Sequence, residues 1–193
     1  MPKPLDPEVE KRLLDAARKL LRRGDKNLSI RALAKAARTN TPGIYRRFRS
    51  RNDILRAILL RFQQELYQSI SVAESLEAAT ERYIDFALHH REEYELWFAH
   101  RNTLLRASRR GPLSTSKETR PSFYWGQKNL AERLGGSPEE HAQLMLMIWS
   151  LFHGTAALLI GKVVPPELEE GVRSACRRTV GVLIANASVI EGQ

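Results

Sequence analysis

The stretch Ser29-Ile-Arg-Ala-Leu-Ala-Lys-Ala-Ala-Arg38-Thr-Asn-Thr-Pro-Gly-Ile-Tyr-Arg-Arg-Phe-Arg-Ser-Arg51 decides how this chain is read. Ser29 is placed to accept from a backbone N–H one turn on and so to cap a helix. Leu33, Ala34 and Ala37 follow at helical spacing. Arg38-Thr39-Asn40 interrupts that stripe, and Asn40 is a good cap for a second helix. Thr41, Pro42 and Gly43 would fill its first turn, where the N–H that proline lacks costs little. Ile44 and Phe48, four apart, face the core, which leaves Tyr45, Arg46, Arg47 and Arg49 largely on the other side. Two short helices joined by a tight turn are predicted.

A short helix with an apolar face and an opposite face of Arg and Tyr suits the major groove of duplex DNA. Side chains at its start reach base edges while flanking cations hold phosphates. The run Ile44-Tyr45-Arg46-Arg47-Phe48-Arg49-Ser50-Arg51-Asn52-Asp53-Ile54-Leu55 resembles the Leu-Tyr-x-x-Phe-x-Ser-Lys-x-x-Leu-Leu pattern of the TetR family of bacterial transcriptional regulators. Two positions depart from that family. Arg38 stands where it usually has Gly, because the turn often needs a left-handed backbone that a Cβ disfavours. Thr39 stands where an aliphatic residue is usual.

Within this reading each candidate side chain has a job. Arg46 is the candidate for a bidentate bond to guanine, worth about 1–3 kcal/mol of base discrimination. Thr41, Pro42 and Gly43 are small enough for close approach to bases. Ser29, Arg31, Arg38, Arg47 and Arg51 are candidates for phosphate contacts, and Tyr45 for a packed ring with its hydroxyl on a phosphate. Arg51 sits in the first turn of the next helix, opposing the helix dipole, which a purely structural reading does not favour. A helix N-terminus with a cation beside it makes a phosphate site. The family usually has Lys there on the DNA backbone, and Arg keeps that charge.

Charge is distributed unevenly. Residues 1–70 hold 17 Lys and Arg against 7 Asp and Glu, a net of +10, and residues 71–193 hold 14 against 15, a net of −1. A polyanion partner is therefore expected for the first part only. The basic residues do not lie on one long amphipathic helix with a bulky aromatic face, so a membrane surface is the poorer fit. The single cysteine, Cys176, excludes an intramolecular disulfide, reads as a buried small residue and fits a reducing cytoplasm. Met-Pro-Lys-Pro-Leu-Asp-Pro-Glu at the start has no apolar segment of the signal-peptide kind.

Around the central stretch the pattern is helical throughout, with no strand signal and no internal repeat. Asp6-Pro7-Glu8 starts a first helix with Val9, Leu13, Ala17 and Leu20 as its buried stripe and Gly24 as its stop. Ser50-x-x-Asp53 opens a fourth helix with Ile54, Leu55, Ile58, Leu59, Phe62 and Leu66 on one face. Further helices are expected over 74–90, 91–106, 121–135, 137–163 and 166–189, with a loop over 108–121. Ala142 to Gly161 runs 20 residues without Asp, Glu, Lys or Arg, long enough to span a bilayer. Its polar residues and the preceding Ser137-Pro138-Glu139-Glu140 cap favour a helix buried in a core and a subunit interface.

The expected fold is all-α. A three-helix helix-turn-helix unit occupies 1–50, a connecting helix 51–70, and an effector-binding and dimerisation domain 71–193, about nine helices in all. The last two long helices form a hairpin suited to a symmetric four-helix dimer interface, which the family resemblance supports. A two-fold dimer presents its recognition helices to half-sites on the order of 34–36 Å apart, so the operator should be roughly palindromic. Phe62, Phe86, His90, Trp97, Tyr124, Met145, Trp149 and His153 are the candidate lining of an apolar pocket with a few polar handles. Scattered core packing is the plainer reading of the same aromatics. Trp149-x-x-x-His153-Gly154 resembles a pattern common in the family's regulatory domains, and the resemblance implies a small apolar or amphipathic effector.

The five histidines show no ligand spacing, so no metal is expected, and no cofactor or nucleophile motif is present. These features predict a homodimeric DNA-binding regulator, most naturally a repressor, and not an enzyme. Two other classes remain open on sequence alone. One is a helical ligand-binding or enzymatic bundle. The other is an architectural DNA-binding protein, which would lack the roughly 10³–10⁷-fold preference for specific over nonspecific sites.

Overall fold

The structure is a computed structural model that describes residues 7–24, 28–106 and 120–192, with the side chains of Pro7 and of 100–106 excepted. Asp6, His100 as a side chain, and the 108–121 loop up to residue 119 lie outside that description. Among the described residues there are ten α-helices and no strand. They fall into two compact units, one of residues 1–62 and 92–112 and the other of residues 63–91 and 113–193.

The first unit is built on α1 (Pro7–Arg22), α2 (Ile30–Ala36), α3 (Thr41–Tyr45), the first half of α4 (Arg51–Ile70) and most of α6 (Arg91–Arg106). Its core is the set of positions picked out by helical spacing: Leu13, Ala17, Leu33, Ala34, Ala37, Ile44, Phe48, Ile54, Leu55 and Ile58 are all buried. Val9 and Leu20 are only partly buried, at the edge of that core. Gly24 takes φ +113 just past the end of α1, the left-handed stop expected of it. One buried charge stands out on α6. Glu93 Oε1 accepts from Arg18 Nε at 3.2 Å and from Arg22 Nη2 at 2.7 Å, tying α6 to α1.

The second unit packs α5 (Leu76–His89), α8 (Ala142–Ile160) and α9 (Glu169–Ala185) against one another. Ile84, Leu144, Ile148, Ala156, Val180 and Ile184 are buried, and so is Cys176. α7 (Pro121–Leu134) approaches α8 closely where Gly126 leaves room for Met145; a Cβ there would collide with the Met145 sulfur. Ion pairs stitch the surface, with Arg177 Nε 3.4 Å from Glu81 and Arg133 Nη1 2.9 Å from Glu77.

Two of the expected helices are divided. Instead of one helix over 137–163, a 3₁₀ turn at Pro138–His141 precedes α8. A capping box closes that turn, with Glu140 Oε1 accepting from the Ser137 N–H at 3.1 Å and the Ser137 hydroxyl at 2.8 Å. The expected 166–189 helix starts with a 3₁₀ turn at Pro166–Leu168 and breaks at Asn186. There the Asn186 side-chain amide donates to the Val182 carbonyl at 2.8 Å, competing with the helix's own ladder. A short α10 (Ala187–Glu191) follows. Pro138–Ile160 is the one helical stretch among the described residues long and apolar enough to cross a bilayer by length and composition.

Candidate nucleic-acid interface

The helix-turn-helix is held by its caps. Ser29 Oγ accepts from the Ala32 N–H at 3.1 Å, Asn40 Oδ1 from the Gly43 N–H at 2.8 Å, and Ser50 Oγ from the Asp53 N–H at 3.2 Å. These three bonds set the starts of α2, α3 and α4 and hence the direction in which α3 presents its side chains. The turn closes as a Schellman motif. The Thr39 N–H bonds the Ala34 carbonyl at 2.9 Å, and the Arg38 N–H the Lys35 carbonyl at 3.3 Å. Arg38 is the left-handed residue of that motif, at φ +51. The backbone the family achieves with Gly is thus reached here by an arginine, at a steric cost.

α3 ends at Tyr45, and it and the turn that follows it are divided as the spacing requires. Ile44 is fully buried and Phe48 nearly so, whereas Thr41, Pro42, Tyr45 and Arg46 are exposed. Tyr45 is 52 % exposed, so its ring stands clear of the core more than the packed ring expected of it. Gly43 is buried, and its smallness serves the turn: an added Cβ would lie 2.9 Å from Thr39 Oγ1 and 3.0 Å from Asn40 Oδ1, the capping atom. Ser29, Arg31 and Arg38 are exposed. Arg47 is half-buried, with Nη1 3.5 Å from the Gly43 carbonyl. Arg51 is also half-buried, and its Nε donates to the Leu28 carbonyl at 3.2 Å. That bond ties the start of α4 to the segment before α2, a structural task that the sequence reading did not assign to Arg51.

The aromatic candidates are divided between the units. Phe62 and Trp97 belong to the first, with ring centroids 6.4 Å apart. Phe86, His90, Tyr124, Met145, Trp149 and His153 belong to the second. There the His153 ring stacks on Trp149 at 5.0 Å, and the His90 ring lies against Phe86 at 4.3 Å. Met145 is buried against α7, and Tyr124 is half-buried. Tyr83 joins this cluster, unforeseen from sequence. Its ring is 4.4 Å from that of Phe152 and its hydroxyl 3.5 Å from His153 Nδ1. Its place three residues before Phe86 on α5 was the available signal.

Electrostatics favours the charged forms of the buried acid. Burial alone would push the Glu93 carboxyl up. The Arg22 hydrogen bond, the Glu93 backbone N–H and the charges of Arg18 and Arg22 outweigh it, and the group rests below the ordinary carboxylate range. Cys176 moves the other way, raised by burial despite a hydrogen bond with Thr155, which suits an inert thiol.

A helix-turn-helix unit whose second helix is exposed on one side and followed by arginines, joined to a helical second unit, defines a bacterial regulator of the TetR type. The comparisons agree. The model described as "Bacterial regulatory proteins, tetR family" matches residues 13–58, and that described as "Tetracyclin repressor-like, C-terminal domain" matches residues 76–183. The chain belongs to the TetR family. Among solved structures it resembles a protein of unknown function from Rhodococcus sp. RHA1, at 21 % identity and TM-score 0.64 over 89 % of this chain and 93 % of that one. It resembles a TetR transcriptional regulator from Rhodococcus sp. RHA1 at 15 % identity and TM-score 0.57, over 93 % and 98 %. It also resembles the multidrug binding protein EbrR, solved with imidazole, at 19 % identity and TM-score 0.60, over 95 % and 93 %. At these identities the likeness shows the fold alone. A comparison with curated proteins gives no match.

Proposed function

We propose that the chain acts as a homodimeric, sequence-specific transcriptional repressor, released from a palindromic operator by a small apolar or amphipathic effector. The observation that carries this reading is the division of α3. Ile44 in α3 and Phe48 just past its end are spent on the core, whereas Thr41, Pro42 and Tyr45 of α3 and Arg46 at its C-cap are exposed. Exposed groups at a helix start read bases, which suits Thr41 and Pro42, and Arg46 at the C-cap of this short helix is the group to read guanine. Arg31, Arg38, Arg47 and Arg51 supply cations on either side for phosphates, and Ser29 a hydroxyl.

Pairing of two copies through α8 and α9 is supported by the apolar side chains these helices leave exposed. Met147 and Leu158 on α8 and Val182 on α9 are each about half exposed. Burial against the same helices of a second copy accounts for them without a bilayer. The aromatic side chains of the second unit, with His90, His153 and Tyr83 as polar handles, suit an apolar or amphipathic effector. The coupling is a population shift: an effector that prefers a state with misplaced recognition helices weakens the operator, and the operator weakens it in return. α4, one continuous helix shared by both units, is the element to carry that shift. The regulator reading also places the protein in the cytoplasm and gives it no catalytic role.

Selection of bound oligonucleotides from a random pool, followed by anisotropy titrations against the selected and scrambled duplexes, tests this. The expected result is a palindromic consensus bound at least about 10³-fold more tightly than scrambled DNA, by a species of two chains. Equal affinity for both duplexes would overturn it.

A further inference from the structure

His141, at the junction of the 3₁₀ turn and α8, is 4 % exposed, and both of its ring nitrogens face oxygen acceptors. Nδ1 lies 2.9 Å from Glu191 Oε1 on α10, and Nε2 lies 2.8 Å from the Gly135 carbonyl at the end of α7. The partner carboxylate is as buried as the ring, with side-chain exposures of 6 % and 5 %. Neither a carbonyl nor a carboxylate can donate, so both contacts are hydrogen bonds only when the ring carries two protons. A neutral imidazole would turn a lone pair toward one of the two oxygens, a buried mismatch.

The surroundings leave this proton to the latch residues themselves. Glu140, in the same 3₁₀ turn, adds a second negative charge, and its Oε1 is occupied by Ser137. On α7, Lys128 pairs with Glu132 and Arg133 with Glu77. α8 has no Asp, Glu, Lys or Arg from Ala142 to Ile160, and α9 has none from Thr179 to Ala185. Apart from Glu191, α10 is held by buried Ala187 and half-buried Ile190.

We propose that α10 is held by a proton-dependent latch, in which doubly protonated His141 clasps Glu191 and the Gly135 carbonyl, and that loss of one proton lets α10 undock. Burial lowers the affinity of His141 for its proton. The bonds to Gly135 and Glu191 and the charges of Glu191 and Glu140 outweigh burial and raise its pKa above the usual histidine value. With a raised folded pKa, the contribution is fully present below the unfolded value and is lost as pH rises through the folded one. The latch is therefore closed in mild acid and opens on the alkaline side.

Amide hydrogen exchange of residues 187–191 in the full chain, corrected for intrinsic rates, tests this between pH 6 and pH 9, alongside ¹⁵N shifts of the His141 ring. Protection of α10 should fall about ten-fold or more across that range, the size expected of a buried acceptor left unmatched. Glu191→Gln gives the discriminating variant. Its amide can donate to a neutral Nδ1 while Nε2–H still bonds Gly135, so its α10 should stay protected at pH 9. Flat protection in the wild type, a singly protonated ring at pH 6, or an unaltered pH dependence in Glu191→Gln would each overturn the latch.

Discussion

Replacing Arg38 separates its place in the turn from the phosphate contact proposed for it. It occupies the left-handed position of the turn between α2 and α3, at φ +51, where an L residue with a Cβ is disfavoured by roughly 1–2 kcal/mol. Glycine removes that penalty but loses about 0.5–1 kcal/mol more backbone entropy on folding than a residue with a Cβ. Arg38→Gly should therefore stabilise the chain by about 0.5–1 kcal/mol, a rise in Tm of about 1–4 °C for a chain of this size. Arg38→Ala keeps the strain and should leave Tm within about 1 °C of wild type. Both variants lose the same charge. If Arg38 meets a phosphate, both should reduce the slope of log affinity against log salt by about 0.9 per subunit, about 1.8 for a bound dimer. Thermal unfolding and anisotropy titrations over 50–300 mM salt read the two effects independently. Matching Tm values for the Gly and Ala variants would refute the backbone argument. A salt slope unchanged in both would refute the phosphate contact while leaving the turn geometry intact.

Arg46→Ala is expected to relax preference at particular base positions, costing about 1–3 kcal/mol per half-site on the selected operator and little on random DNA. Arg51→Ala should weaken both alike and flatten the salt slope. Because Arg51 Nε also bonds the Leu28 carbonyl, it should in addition cost about 1 kcal/mol in chemical denaturation, a loss Arg46→Ala should not share. Glu93→Gln, which leaves Arg18 and Arg22 facing a neutral amide, should destabilise the chain by about 2–3 kcal/mol at pH 7. The sign of its pH dependence follows from the lowered carboxyl pKa. The wild type gains from ionised Glu93 above the unfolded value and loses that gain as pH falls through the folded one, so the gap to the variant should close in acid. Denaturation midpoints that differ by the same amount at pH 7 and pH 3 would contradict this.

What could be read from the residues alone follows from how far apart the interacting groups lie in the chain. The helix-turn-helix was legible because its determinants are three or four residues apart: Ser29 with Ala32, Asn40 with Gly43, Ile44 with Phe48. Even the departure at Arg38 carried its consequence, a left-handed backbone at a residue with a Cβ. The features that escaped depend on distant partners. Arg51 reaches a carbonyl 23 residues back, Glu93 gathers two arginines from α1 more than 70 residues away, and His141 meets Glu191 across 50. No periodicity announces such pairs.

The same distinction separates the two halves of the functional reading. A recognition helix displays its reading groups from consecutive turns of one element, so residue type and spacing suffice to nominate Thr41, Tyr45 and Arg46. An effector site is assembled from single residues on several helices, each of which looks like ordinary core in its own helix. Tyr83 illustrates this: on α5 it is one more buried aromatic, and only packing brings its ring to Phe152 and its hydroxyl toward His153. Met145 illustrates the converse, a residue that spacing put beside Trp149 and whose sulfur fills the gap left by Gly126. For this chain the proposed DNA contacts are therefore nominated residue by residue, whereas the proposed effector site is described only by character, aromatic with histidine and tyrosine handles.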